Sequence, residues 1–281
     1  MMPPLWLQSV SQAPYPEQRT GSLKSTIFNG MDTELLYLDD AYLREMTATV
    51  VETREGAVAL DRTVFYPTGG GQACDTGELR WATEAGTNAA TVTAVKKEGP
   101  FVWHTISAPD GSASGHHQLE VGQSVDGLID WGRRHELMRT HTALHILCGV
   151  IWNEWGKSVT GGNMEPLSAR MDFEFDPLPE GFAARITELV NSEIAAARPI
   201  EVGYLDRPDA LADEDLIRTK VNMIPEFVTK IRVVDIVGLD KQADGGTHVA
   251  NTGDVGHFEV TKTESKGKGN KRVRIQLSDS V

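Results

Sequence analysis

Cysteine is almost missing from this sequence: Cys74 and Cys148 are the only two in 281 residues. Two thiols build no disulfide framework, and their scarcity suits a reducing cytoplasm. Cys148 sits inside an apolar run and reads as a small buried hydrophobe, not a nucleophile. Long apolar runs are missing too. The longest nearly apolar stretch, Ala143 to Trp152, contains His145 and is too short to cross a bilayer, so no membrane association is expected. No Lys or Arg precedes Arg19 and no apolar leader core follows the start, so a secretory signal is not expected. Positive charge is scarce overall. The formal net charge of -13 argues against indiscriminate binding to a phosphate backbone.

What is present is ordinary globular composition, 40% hydrophobic and 24% charged, in a chain long enough for one large domain or two of usual size. Charge is unevenly placed. From Lys262 to Arg274 stand Lys262, Lys266, Lys268, Lys271, Arg272 and Arg274 against Glu264 alone. One basic patch on an acidic body points to a localised polyanion contact; taken alone it reads first as a solvated hairpin.

Residues 1–30 are rich in Pro, Ser, Gln and Thr without a period and read as a disordered extension, with Met31 as an alternative start. Residues 31–130 read as β structure. ATVVE (48–52), AVALDRTVFY (57–66), Ala90–Val95 and Pro100–Ile106 are short strand candidates between turns, which suggests a small β-barrel. Residues 131–281 mix helices and strands. An amphipathic helix is expected over Arg134–Trp155 and a second over Glu180–Ala197. Strands are expected over Leu167–Phe175, Ile200–Leu205, Val228–Val237, Val255–Thr263 and Arg272–Leu277. The fold class is therefore α+β.

His141 and His145 stand four apart in MRTHTALHIL, so one helix face carries both imidazoles. A zincin protease needs Glu directly after the first His, and Thr142 is there instead, which excludes that chemistry. By themselves the two histidines are equally well read as hydrogen-bonded core residues. In ADGGTHVANTG, Asp244 and His248 bracket Gly245-Gly246-Thr247, a segment too glycine-rich for a stable helix. Such a turn could aim carboxylate and imidazole at one point. Together the four residues form a plausible set for zinc, with Asp244 as ligand or general base. The remaining histidines His104, His116 and His117 lack that context and are expected to bind no metal.

HxxxH on a helix followed about a hundred residues later by GGTHV resembles the alanyl-tRNA synthetase editing domain and its free-standing AlaX relatives. Phe65-Tyr66-Pro67-Thr68-Gly69-Gly70-Gly71-Gln72 with Asp75-Thr76-Gly77 is similar to the family's glycine-rich motif, and Glu264–Arg272 to the tail of its longer forms. The resemblance spans residues 33 to 278, and four motifs in order make it specific. It implies an N-terminal small β-barrel (31–130) followed by an α/β editing domain (131–281). It implies one Zn2+ on His141, His145, Asp244 and His248, and hydrolysis in trans of serine- or glycine-mischarged tRNA for alanine. Asp244 stands where the family usually has a cysteine. Its harder oxygen would admit other divalent ions more readily, and threonyl-tRNA synthetase editing domains with a similar pocket are thought to work without the metal. Leu144 stands where some editing domains carry a screening threonine.

The reading gives further roles. Asp244 and Thr247 are catalytic candidates, and backbone amides around Gly245 and Gly246 are candidate oxyanion donors. Thr142, Thr160 and Asn163 are candidates to read a serine hydroxyl, because an apolar pocket alone discriminates such a group poorly. Arg133, Arg134, Arg139, Lys266, Lys268, Lys271 and Arg272 are candidate tRNA contacts. Gly69, Gly70, Gly71 and Gln72 shape the pocket. Two rival readings are a silent tRNA-binding module and an unrelated metal-dependent esterase.

Overall fold

The computed structural model describes residues 32–84, 86–108, 119–212, 216, 228–267 and 269–279. The extension at 1–30, His116, His117 and Lys268 lie outside the described residues. A short parallel pair, β1 (Glu34–Leu35) and β4 (Arg62–Thr63), leads into six further strands. These are β2 (Glu45–Arg54), β3 (Ala57–Leu60), β5 (Gly77–Thr83), β6 (Gly86–Glu98), β7 (Phe101–Ser107) and β8 (Ser124–Ile129). They close a barrel in the order β2-β3-β7-β6-β5-β8. Alternation decides the inward face: Met46, Ala48 and Val50 of β2 are buried with Leu79, Val92, Val102 and Val125. The expected barrel is present, with β5 and β8 as strands the sequence reading passed over.

His104 sits inside this barrel, its Nε2 2.8 Å from Thr63 Oγ1 and its Nδ1 3.4 Å from Val58 O. Burial pushes its pKa from 6.5 down to about 4. A base whose folded pKa is depressed loses stability as pH falls, because below 6.5 the unfolded chain takes up a proton that the folded one refuses. At pH 5 that deficit reaches about 2 kcal/mol, from 1.5 units at about 1.4 kcal/mol each. The drop in melting temperature between pH 7.5 and pH 5 is therefore expected to shrink in His104→Gln. An equal drop in parent and variant would contradict this.

After the barrel, α1 (Trp131–Trp155) starts on an Asp130 cap whose side chain accepts from Arg133 N at 3.1 Å. The expected helix is there, but it is not amphipathic. Every residue from Leu137 to Ile151 is buried. A helix covered on all sides is a core helix, and this one packs among α2 (Phe182–Ala195), β9 (Val159–Glu165) and β10 (Ser168–Phe173). The strands β11 (Ile200–Asp206), β12 (Lys230–Ile236) and β13 (Asp240–Ala243) form a three-stranded sheet, with α3 (Arg207–Ala212) after β11. β14 (His257–Ser265) and β15 (Lys271–Ser278) complete a four-stranded sheet ordered β14-β15-β10-β9. The overall class is α+β, as expected. No helix among the described residues is long and apolar enough to cross a membrane.

Candidate metal centre

His141 and His145 leave α1 one turn apart, and the loop after β13 delivers Asp244 and His248. Their ligand atoms all lie within 4.8 Å of one another. The imidazole centroids are 5.0, 4.2 and 4.7 Å apart for the pairs 141–145, 141–248 and 145–248. His141 Nε2 is 3.6 Å from Asp244 Oδ1, and His248 Nε2 is 3.1 Å from Asp244 Oδ2. All three histidines are buried.

Three imidazoles this close could not all be charged. Burial lowers His141 well below its ordinary value and His248 to about 4, both against the pull of Asp244. Burial also opposes the charge on Asp244, but His141, His248 and His145 outweigh it and hold the carboxyl well below the usual range. The cluster is thus two neutral nitrogen bases facing an anionic oxygen, with a third imidazole beside them. The nitrogen and oxygen donor set suits a divalent ion, and zinc among the candidates.

The loop holding Asp244 is fastened from behind. Arg232 Nη1 donates to Asp244 O at 2.9 Å and Gly246 O at 3.0 Å, and its Nε to Leu38 O at 3.1 Å. Gly246 has no alternative at its position: a Cβ there would stand 2.3 Å from His141 Cε1. Gln72, from the glycine-rich motif, reaches across to the same loop. Its Nε2 donates to Thr247 Oγ1 at 3.0 Å, and its Oε1 accepts from Thr247 N at 3.3 Å. The barrel half therefore shapes the loop through Gln72, while the four clustered side chains come from α1 and that loop.

Several expected roles are corrected by these contacts. Thr247 is fully buried with its hydroxyl on Gln72, so it positions the loop and faces no substrate. The Gly246 amide donates to Asp244 Oδ2 at 2.6 Å and is spent as an oxyanion donor. Thr142 Oγ1 lies 3.1 Å from His248 Nδ1 and accepts from Val249 N at 3.3 Å, so it orients His248 and reads no hydroxyl. Thr160 is exposed on β9 and donates to Asn270 Oδ1 at 2.9 Å. Asn163 is exposed on the same strand, one that was not among the expected strands.

The arginines are corrected most. Arg134 is fully buried, with Nε 3.0 Å from both Asp75 carboxylate oxygens and Nη1 and Nη2 on the carbonyls of Ala41 and Val64. Arg139 donates to Val255 O, Ser278 O and Asp279. Neither is available to phosphate. Arg133 is partly exposed with its Nε on Cys74 O. In the tail, Arg272 makes a two-pronged bond to Asp172 at 2.7 and 2.8 Å, and Lys271 Nζ bonds Ser265 Oγ. Lys266 is exposed.

The family profile described as threonyl and alanyl tRNA synthetase second additional domain matches residues 231–274, the stretch from β12 to β15 that carries Asp244 and His248. A second, tRNA synthetases class II (A), matches residues 18–133. The alanyl-tRNA editing protein AlaX-M of Methanosarcina mazei is 37% identical over 250 residues, covering 89% of this chain and 98% of that protein. This chain belongs to the AlaX-M family. The AlaX-M protein of Saccharolobus solfataricus is 36% identical over 244 residues, covering 86% and 97% of the two chains. The alanine–tRNA ligase of Hyperthermus butylicus is 36% identical over 254 residues, or 89% of this chain and only 26% of the ligase. An AlaX-M chain thus matches a segment of a synthetase but the whole of a free-standing editing protein.

Two residues of the centre escaped the sequence reading. Arg232 and Asp240 lie in strands, without the spacing that marks a helix pair or a glycine turn, so no local signal distinguishes them.

Proposed function

We propose that this chain is a cytoplasmic hydrolase acting in trans on mischarged tRNA for alanine, releasing serine or glycine from the terminal adenosine. The observation that carries this reading is the buried cluster of His141, His145, His248 and Asp244, in a chain matching free-standing editing proteins over nearly their full length. His141, His145 and His248 would hold one Zn2+, with Asp244 as a fourth ligand or as the base beside it. When bound, the ion supplies a Lewis acid and a water of lowered pKa for ester attack. Burial of the three imidazoles keeps bulk water from the ligand atoms, and Arg232 and Gln72 hold the loop so that Asp244 keeps its place. Asn163 remains a candidate to bond the serine hydroxyl.

The test is direct. Serine- and alanine-charged tRNA for alanine are incubated with the protein, and ester loss is followed with and without chelator. Selective, chelator-sensitive release of serine is expected. Binding without hydrolysis would make the chain a silent module, and hydrolysis of small esters with indifference to tRNA would make it an unrelated esterase.

The basic tail meets tRNA phosphates mainly through Lys266 and Lys268, since Arg272 is committed to Asp172 and Lys271 to Ser265. Each phosphate contact contributes roughly 0.7–0.9 to the slope of log affinity against log salt. Lys266→Ala with Lys268→Ala should flatten that slope by about 1.5 units, while an aminoacyl-adenosine fragment is still hydrolysed at the parental rate. An unchanged slope in a variant that melts like the parent removes the phosphate contact.

A further inference from the structure

A second carboxylate stands behind the cluster. Asp240 opens β13, paired with Ile236 of β12, and its side chain is wholly buried. Its Oδ2 lies 3.3 Å from the buried His145 Nδ1, an ion-pair distance without hydrogen-bond alignment, and accepts from Gln242 Nε2 at 2.7 Å. The approach is tight. Gly149, one turn beyond His145 on α1, faces this strand, and a Cβ there would stand 2.9 Å from Asp240 Cβ and 3.1 Å from Leu239 O. The missing side chain at 149 is what lets Asp240 come up against the helix beside His145.

We propose that Asp240 is a positioning residue of the metal centre, accepting the Nδ1–H of His145 and so turning the Nε2 lone pair of that ring toward the ion. The inference rests on the metal-binding reading above. An imidazole has two nitrogens, and which one carries the proton is set by what the other meets. Nδ1 faces the Asp240 carboxylate at 3.3 Å, a small rotation short of a hydrogen bond, which leaves Nε2 as the nitrogen for the metal. An outer carboxylate on a ligating histidine fixes its tautomer and orientation and strengthens it as a donor. His248 has the neutral counterpart of this arrangement in Thr142 at its Nδ1. The two ligands from different elements are thus each oriented from behind, one by a carboxylate and one by a hydroxyl.

The experiment measures zinc affinity by chelator competition and the visible spectrum of the cobalt-substituted protein, for parent, Asp240→Asn and Asp240→Ala, with melting of each metal-free protein alongside. Asp240→Ala should bind zinc about 10- to 100-fold more weakly and shift the cobalt bands. Asp240→Asn, whose amide oxygen can still accept Nδ1–H, should recover part of the affinity. Parental affinity and spectrum in a folded Asp240→Ala protein would overturn the proposal. Should that variant not fold, nitrogen-15 resonances of the zinc-loaded parent decide: His145 protonated at Nδ1 supports the role, and protonated at Nε2 ends it. A parent that takes up no metal removes the metal reading itself, and this inference with it. That outcome is distinct from a parent that binds zinc with His145 indifferent to residue 240.

Discussion

Replacing His141 and His248 together by alanine is expected to abolish stoichiometric metal uptake and to lower release of serine from mischarged tRNA at least a hundred-fold. The floor comes from the 10- to 100-fold losses that follow removal of a mere outer partner of a metal ligand; removing two donors must cost more. The two rings stack 4.2 Å apart and both face Asp244. Without them Asp244 and His145 remain, too few donors for a tetrahedral site. The scaffold of the loop survives, because Arg232 and Gln72 hold it through Asp244 O, Gly246 O and Thr247 and not through either ring. Metal content by elemental analysis, deacylation and melting of the metal-free protein form the check. Retained metal at one equivalent, in a variant that folds, would place the ion elsewhere.

The second large effect is on stability. Asp75→Asn or Arg134→Met should destabilise the protein by about 3–5 kcal/mol, the usual cost of stripping one partner from a buried ion pair. For a chain of this size that is a fall of roughly 10 °C in melting temperature. Both side chains have no exposed surface. Asp75 also accepts from Tyr66 N at 2.6 Å, while Arg134 spans the carbonyls of Ala41 and Val64. Losing either partner leaves a charge in a dry interior with nothing to balance it. The pair joins the glycine-rich segment of the barrel half to the first turns of α1, two turns before His141. The double replacement Asp75→Leu with Arg134→Met should recover much of the loss, because no charge is then stranded. A single variant melting within a degree of the parent would show that the pair carries no such weight.

These two predictions mark how far a linear reading reaches. The His141–His145 pair was legible because helical periodicity is written locally, and the DGGTH turn because glycine has few other uses at such density. The barrel was legible as short strands between frequent turns. β9 was not, since Gly161-Gly162 carry almost no strand preference and are held by pairing with Asp172 and Met171 of β10. Arg134 and Arg139 looked like phosphate contacts because a charged residue near a site is usually exposed. Their burial follows from acceptors distant in sequence, Asp75 for one and Val255 and Ser278 for the other.

By itself, then, the sequence determined what is local: a helix bearing two imidazoles, a glycine turn bearing a carboxylate and a third imidazole, a small β-barrel, and an order of motifs specific to one family. Only the tertiary structure decided which polar side chains face the centre and which are spent holding it, as with Thr142 behind His248, Gln72 on Thr247, Arg232 on the Asp244 loop and Asp240 against His145. The reason is physical. A buried polar group must find a partner, and which partner it finds depends on elements brought together from dozens of residues away, a distance over which no periodicity or spacing carries information.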